Sequence, residues 1–211
     1  METVQLVLAR HGNTFAPGDK VVWVGARSDL PLVEKGLQQA AAVAAGLAAA
    51  GLAPSRLYAG PLKRTRETAS IVASAFGLGD AACIISEDLR EIDYGRWEAR
   101  SNDEIRAEVG NAAIDDWQQR SIWPEGFGWQ PGEAAVLAGW NRLIERIRTE
   151  NAADAVVLVV SSNGIFRLVA KALGLPATAA KMGTGTVARL RLDADSLTVV
   201  DWNLDPAALT A

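Results

Sequence analysis

Three short apolar runs, VQLVLA at 4–9, RLYA at 56–59 and VVLVV at 156–160, each stop at a polar or glycine-containing turn with helical spacing further on. Near-continuous apolar strands are those buried on both faces, and strands that alternate with helices build a mainly parallel sheet. The expected fold class is therefore α/β, a three-layer α/β/α arrangement around a mainly parallel central sheet. Open sheets of this kind collect ligands outside the carboxyl ends of their strands. Three sequence-distant stretches then fall on one rim: Arg10 with His11, residues 61–64, and residues 161–164.

The run from Glu34 to Gly51 is Ala-rich and reads as a helix, as does LKRTRETASIVASAFG at 62–77. In EAAVLAGWNRLIERIRTE, 133–150, residues Val136, Leu137, Trp140, Leu143, Ile144 and Ile147 form one helical stripe. The tail VARLRL-DADS-LTVVDW alternates like an antiparallel hairpin at a sheet edge. Residues 15–33 read as a long loop. The 211 residues suit one domain spanning 1–211, with residues 92–132 as an inserted cap or lid.

A net charge of −4 provides no long-range attraction for nucleic acid or anionic lipid, and a small anionic ligand fits the composition better. No apolar run reaches the length of a membrane span and no leader pattern opens the chain, so a cytoplasmic location without membrane partners is expected. Cys83 lies in a strand-like run and reads as a buried small hydrophobe. With one histidine and one cysteine, no thiolate or imidazole metal cluster can form, and neither a metal nor a cofactor is expected. A homodimer stays open.

The single histidine stands in Arg10-His11-Gly12-Asn13-Thr14, at the end of the first strand. Arg10 supplies a planar cationic fork, Gly12 permits close backbone approach and Thr14 offers a hydroxyl, a donor set suited to an oxyanion. A neutral imidazole there can attack a phosphoryl group if its other nitrogen donates to a carbonyl and fixes the tautomer.

R-H-G-N-T at 10–14 resembles the R-H-G-x-T signature of the histidine phosphatase superfamily, which includes the phosphoglycerate mutase-like enzymes. Four further segments are similar to that family in order and spacing: SDLPLVEKGLQQA at 28–40, AGPLKRTRETA at 59–69, LREIDYGRWEAR at 89–100 and QPGEA at 130–134. The resemblance implies that His11 is the nucleophile and becomes phosphohistidine, that Arg10 and Arg64 grip the phosphoryl oxygens, and that Glu91 donates the proton. Asn13 and Thr14 join the phosphate-binding set. Lys63 and Arg66 read as solvated neighbours of Arg64. Glu87, Asp88 and Asp93 read as surface charges whose field could raise the pKa of Glu91.

The family's second histidine, in V-S-H-G, has Ser162 in its place, followed by Asn163. Hydroxyl and amide can still donate to a phosphoryl oxygen, so Ser162 and Asn163 are candidate phosphate ligands, without the imidazolium charge. Arg27 and Lys181 are candidate replacements for that charge. The implied activity is hydrolysis of a small phosphorylated substrate. A phosphate-binding or regulatory protein on the same fold, and mutase-type phosphoryl transfer, are the alternatives. A Ser-His-Asp hydrolase fits poorly because SSNGI lacks the G-x-S-x-G elbow. Trp117, Trp123 and Trp129 lie in a Gly/Pro-rich stretch and either close a small satellite core or line a substrate-recognising lid.

Overall fold

The structure, a computed structural model, describes residues 3–210, with Asp80 described by its backbone only. Six strands form one sheet: β1 (Val4–Arg10), β2 (Arg56–Ala59), β3 (Cys83–Ile85), β4 (Val156–Ser161), β5 (Val187–Leu192) and β6 (Leu197–Leu204). Their order is β3-β2-β4-β1-β5-β6. The first four in that order run parallel, while β5 and β6 add the antiparallel hairpin anticipated from the tail.

The α-helices among the described residues are α1 (Glu34–Ala49), α2 (Lys63–Ala75), α3 (Asn102–Val109), α4 (Ala112–Arg120), α5 (Glu133–Glu150) and α6 (Asn163–Ala172). Strand periodicity divides the core between the two faces. Val7 and Ala9 of β1 pack with Val43 and Leu47 of α1 and Val72 of α2, whereas Leu6 and Leu8 pack with Trp140 and Ile144 of α5 and Phe166 and Val169 of α6. The expected stripe on α5 is buried except at Leu137, which is half-buried. Cys83 departs from expectation: β3 is the edge strand, so its side chain is half-buried. No helix among the described residues is long and apolar enough to cross a membrane.

Two glycines set the turn that follows β1. A Cβ on Gly12 would lie 2.3 Å from the Gly36 carbonyl oxygen, and one on Gly36 would lie 2.2 Å from the Asn13 oxygen. Only bare backbone lets α1 start against the Arg-His-Gly turn. One turn along α1, the Gln39 side chain accepts from the Asn13 N–H at 2.8 Å and donates to the Thr184 carbonyl at 2.9 Å. Thr68 of α2 accepts from the Gly12 N–H at 3.3 Å. These motif residues are thus the fixings of the turn.

Between β3 and α5 the chain carries α3 and α4. Ser101 and Glu104 make reciprocal bonds that cap α3. Trp129 is the hub of a ring cluster, with centroids 4.7 Å from Tyr94, 4.9 Å from Trp117, and 5.2 Å from both Trp97 and Trp123. Trp117 and Trp129 are buried and Trp123 packs against them half-exposed, so these rings contact one another within the main core of that face. The satellite core anticipated from the sequence is continuous with the main one. Arg167 of α6 is also buried. Its Nη1 donates to the Trp117 and Gln118 carbonyls at 3.1 and 3.0 Å and to the Ser121 hydroxyl at 3.1 Å, sharing the Trp117 carbonyl with the Ser121 N–H at the end of α4.

Trp129→Ala removes the ring on which the others meet. A loss of about 3–5 kcal/mol in unfolding free energy is expected by denaturant titration; an unchanged midpoint would contradict a load carried by this cluster.

Candidate active site

The three strand-end stretches do meet. His11 is 6% exposed, and its Nδ1 lies 2.7 Å from the Gly12 carbonyl oxygen. A carbonyl can only accept, so Nδ1 carries the proton and Nε2 keeps its lone pair. Burial holds the His11 pKa well below its ordinary 6.5, and the charges of Arg10 and Arg64 push it further down. The imidazole is neutral across the physiological range.

Arg10 donates through Nη1 to the Met182 carbonyl at 2.6 Å. Arg64 donates through Nη1 to the Ser28 carbonyl at 2.6 Å and through Nη2 to the Gly25 carbonyl at 3.2 Å. The Nε atoms of both arginines are buried with no protein partner. Burial lowers both guanidinium pKa values from the usual range, while Glu91 opposes the shift. Arg64 is 1% exposed, unlike its exposed neighbours Lys63 and Arg66.

Glu91 follows β3 and is 6% exposed. Its Oε1 accepts from the Ile92 N–H at 2.9 Å and its Oε2 from the Gly164 N–H at 3.2 Å. Burial raises its pKa above 4.5, against the lowering pull of Arg64, the two amides and Arg10. The acidic neighbours are not the cause, contrary to the sequence-based expectation: Glu87 pairs with Arg90, Asp88 with Arg142 and Asp93 with Arg27. Glycine at 164 makes room for this arrangement: a Cβ there would sit 2.4 Å from Glu91 Oε1 and 2.6 Å from the Tyr94 hydroxyl and would displace both.

Tyr94 is the residue that sequence reasoning missed. Its hydroxyl hydrogen-bonds Glu91, and burial together with that carboxyl holds its pKa well above 10.0, so it stays a donor. A hydroxyl three residues after Glu91, between Ile92 and Trp97 of the motif segment, was the available signal.

Ser162 immediately precedes α6 and is fully buried; its Oγ caps nothing and has no protein partner. The two asparagines are tied to the loop before β5. Asn163 Oδ1 accepts from the Met182 N–H at 3.0 Å, and Asn13 Oδ1 accepts from the Thr184 hydroxyl at 2.5 Å. Their acceptor oxygens hold that loop, which in turn holds Arg10. Thr14 is half-buried on the same turn. Arg27 is committed to Asp93 and the Gly95 carbonyl, and Lys181 is exposed, so neither is positioned by the contacts around His11. Among the described residues no group of three His, Cys, Asp or Glu side chains is placed to hold a metal ion.

The pattern of the Histidine phosphatase superfamily (branch 1) matches residues 6–205. The protein named "Probable phosphoglycerate mutase GpmB" from Shigella boydii serotype 18 is 32% identical over 206 residues, spanning 94% of this chain and 85% of that protein. Mycobacterial glucosyl-3-phosphoglycerate phosphatase superposes with a TM-score of 0.77 at 24% identity, covering 95% of this chain and 99% of that one. The alpha-ribazole phosphatase from Shigella flexneri gives 0.73 at 24% identity, covering 95% and 96%. The last two likenesses are of fold. With the family pattern running through nearly all of the chain and a relative above 30% identity over the same span, this protein belongs to the histidine phosphatase superfamily.

Proposed function

We propose that the protein is a metal-independent phosphomonoesterase acting through phosphohistidine on His11. One observation carries this reading: a buried imidazole whose Nδ1–H is fixed on the Gly12 carbonyl, leaving Nε2 free, under the charges of the same two guanidiniums, Arg10 and Arg64, that act on the buried carboxyl of Glu91. Nε2 attacks phosphorus and the ester P–O bond breaks, with its electrons passing to the leaving oxygen. Glu91 protonates that oxygen. Water then attacks the phosphoryl group on Nε2, Glu91 takes the water proton, and phosphate leaves with His11 neutral again.

Arg10 Nε, Arg64 Nε and Ser162 Oγ are three buried hydrogen-bonding groups unused by the protein at this one rim. Two of them are cationic and the third is a neutral hydroxyl, a set that suits a phosphoryl group whose negative charge is spread over three oxygens. Thr14 and the amide nitrogens of Asn13 and Asn163 join them in this reading, and residues 92–132 form a cap over the site. A second reading, mutase-type transfer, is favoured by the name of the relatives above 30% identity; it requires a sugar acid to be retained for return of the phosphate.

Incubation with a panel of phosphate monoesters is expected to release phosphate, with an acid-labile phosphoryl label on His11. His11→Ala should abolish both, and undiminished turnover in that variant would refute the mechanism. Supplying a monophosphoglycerate tests the mutase reading, for which positional isomerisation is the required product.

The pH dependence follows from two opposed requirements. His11 must be deprotonated and its pKa lies below 6.5; Glu91 must be protonated and its pKa lies above 4.5. The kcat/KM profile should therefore be a bell, rising below pH 6.5 as His11 loses its proton and falling above pH 4.5 as Glu91 does. Glu91→Gln should remove the falling limb and lower kcat on the order of a hundredfold to ten-thousandfold. A falling limb that survives would assign the acid elsewhere.

Ser162→Ala separates folding from function. The hydroxyl makes no bond within the protein, so its removal should leave the thermal midpoint unchanged or raised, relieving a desolvation cost of about 1 kcal/mol. Turnover should fall tenfold or more if the hydroxyl meets the transferring group.

A further inference from the structure

A cleft of about 390 Å³ opens beside Glu91, with Pro131, Ala135, Val136 and Ile165 among its apolar lining and Gln130 at its edge. The volume falls within the ordinary range for small-molecule sites, which are lined largely by apolar side chains. Part of its rim is built by close packing. Gly139 of α5 leaves room for Asp88, whose Oδ1 would lie 2.9 Å from a Cβ at that position.

The cations lining the cleft are already paired. Glu87 takes two N–H bonds from Arg90, at 2.7 and 3.1 Å, Asp88 takes Arg142, and Asp93 takes Arg27 from just outside the lining. Among the described residues, then, both cations that line the cleft are occupied, while its acids outnumber them. A second carboxylate or phosphate placed here would be partly desolvated without a cation available to it, and would meet like charge at the rim.

A proton donor must lie against the leaving oxygen, so the remainder of the leaving alcohol extends into the space that adjoins the donor. We propose that this cleft receives the alcohol portion of the substrate, and that it selects an uncharged alcohol of about one ring in size over one bearing a second anionic group. The proposal rests on the phosphomonoesterase reading with Glu91 as acid, and it narrows the substrate class. It also disfavours a phosphorylated sugar acid.

The test uses the full chain with phenyl phosphate, 4-carboxyphenyl phosphate and methyl phosphate. Wild type should give kcat/KM for phenyl phosphate at least tenfold above that for its carboxylated counterpart. Ala135, exposed in the first turn of α5, is the position from which to fill or recharge the cleft. Ala135→Trp should lower kcat/KM for phenyl phosphate at least tenfold more than for methyl phosphate, each ester being compared with wild type so that leaving-group reactivity cancels. Ala135→Arg supplies an unpaired cation and should shift the preference toward the carboxylated ester. Equal losses for phenyl and methyl phosphate, a wild-type preference for the carboxylated ester, or an unmoved preference in Ala135→Arg would overturn the cleft assignment alone. No phosphate release by wild type from any ester would overturn it together with the phosphomonoesterase reading.

Discussion

Two buried guanidiniums act on one imidazole, and among the described residues neither is neutralised by a direct ion pair. Arg10 and Arg64 instead rest on backbone carbonyls, of Met182 in one case and of Gly25 and Ser28 in the other. Carbonyls orient a guanidinium without cancelling its charge. The field of both arginines therefore persists at His11, where it adds to burial in keeping Nε2 unprotonated. The same bonds fix the loops. Arg64 holds Gly25 and Ser28, Arg10 holds Met182, and Asn163 and Asn13 serve that framework by accepting from Met182 and Thr184.

Glu91 is balanced by opposite effects. Burial favours its neutral form, while Arg64, the amides of Ile92 and Gly164, and Arg10 favour the carboxylate. A group that gives a proton in one step and takes one in the next works best when neither form is strongly preferred. The start of α6 contributes directly to this balance, because its Gly164 N–H is spent on the carboxyl. Tyr94 then joins the carboxyl to the ring cluster, with its own ring 4.7 Å from Trp129. Arg167 ties that cluster back to α6 through the end of α4. Helix α6 and the segment between β3 and α5 thus share one set of contacts.

The sheet was legible because buried parallel strands and helices have different apolar periods, and because each strand of the site ends at a chemically distinctive turn. Arg10, His11, Arg64 and Glu91 could be named from those turns and from motif resemblance. What escaped depends on contacts across long stretches of chain. Gly164 and Glu91 are 73 residues apart, and only the folded packing shows that a side chain at 164 would displace the carboxyl. The cause of the Glu91 shift was misread for the same reason: sequence displays the nearby acids but not the arginines that pair with them. Arg167, in an otherwise amphipathic helix, gave no sign that its partners were carbonyls of α4. Cys83 was placed in a strand correctly, but its exposure depends on that strand being an edge.

The serine at position 162 has a physical logic within this charge distribution. Arg10 and Arg64 already carry two positive charges in a buried site, and burial lowers the pKa of each. An imidazolium from a second histidine would add a third, raising the cost of the site before substrate arrives and depressing His11 further. Serine keeps a hydrogen-bond donor there and omits the charge. In the proposed reaction, with Glu91 protonated, two guanidiniums would meet the two negative charges of a phosphate monoester dianion. The resulting balance depends on Glu91, since its ionisation alone changes the charge seen by the bound phosphoryl group without moving either arginine.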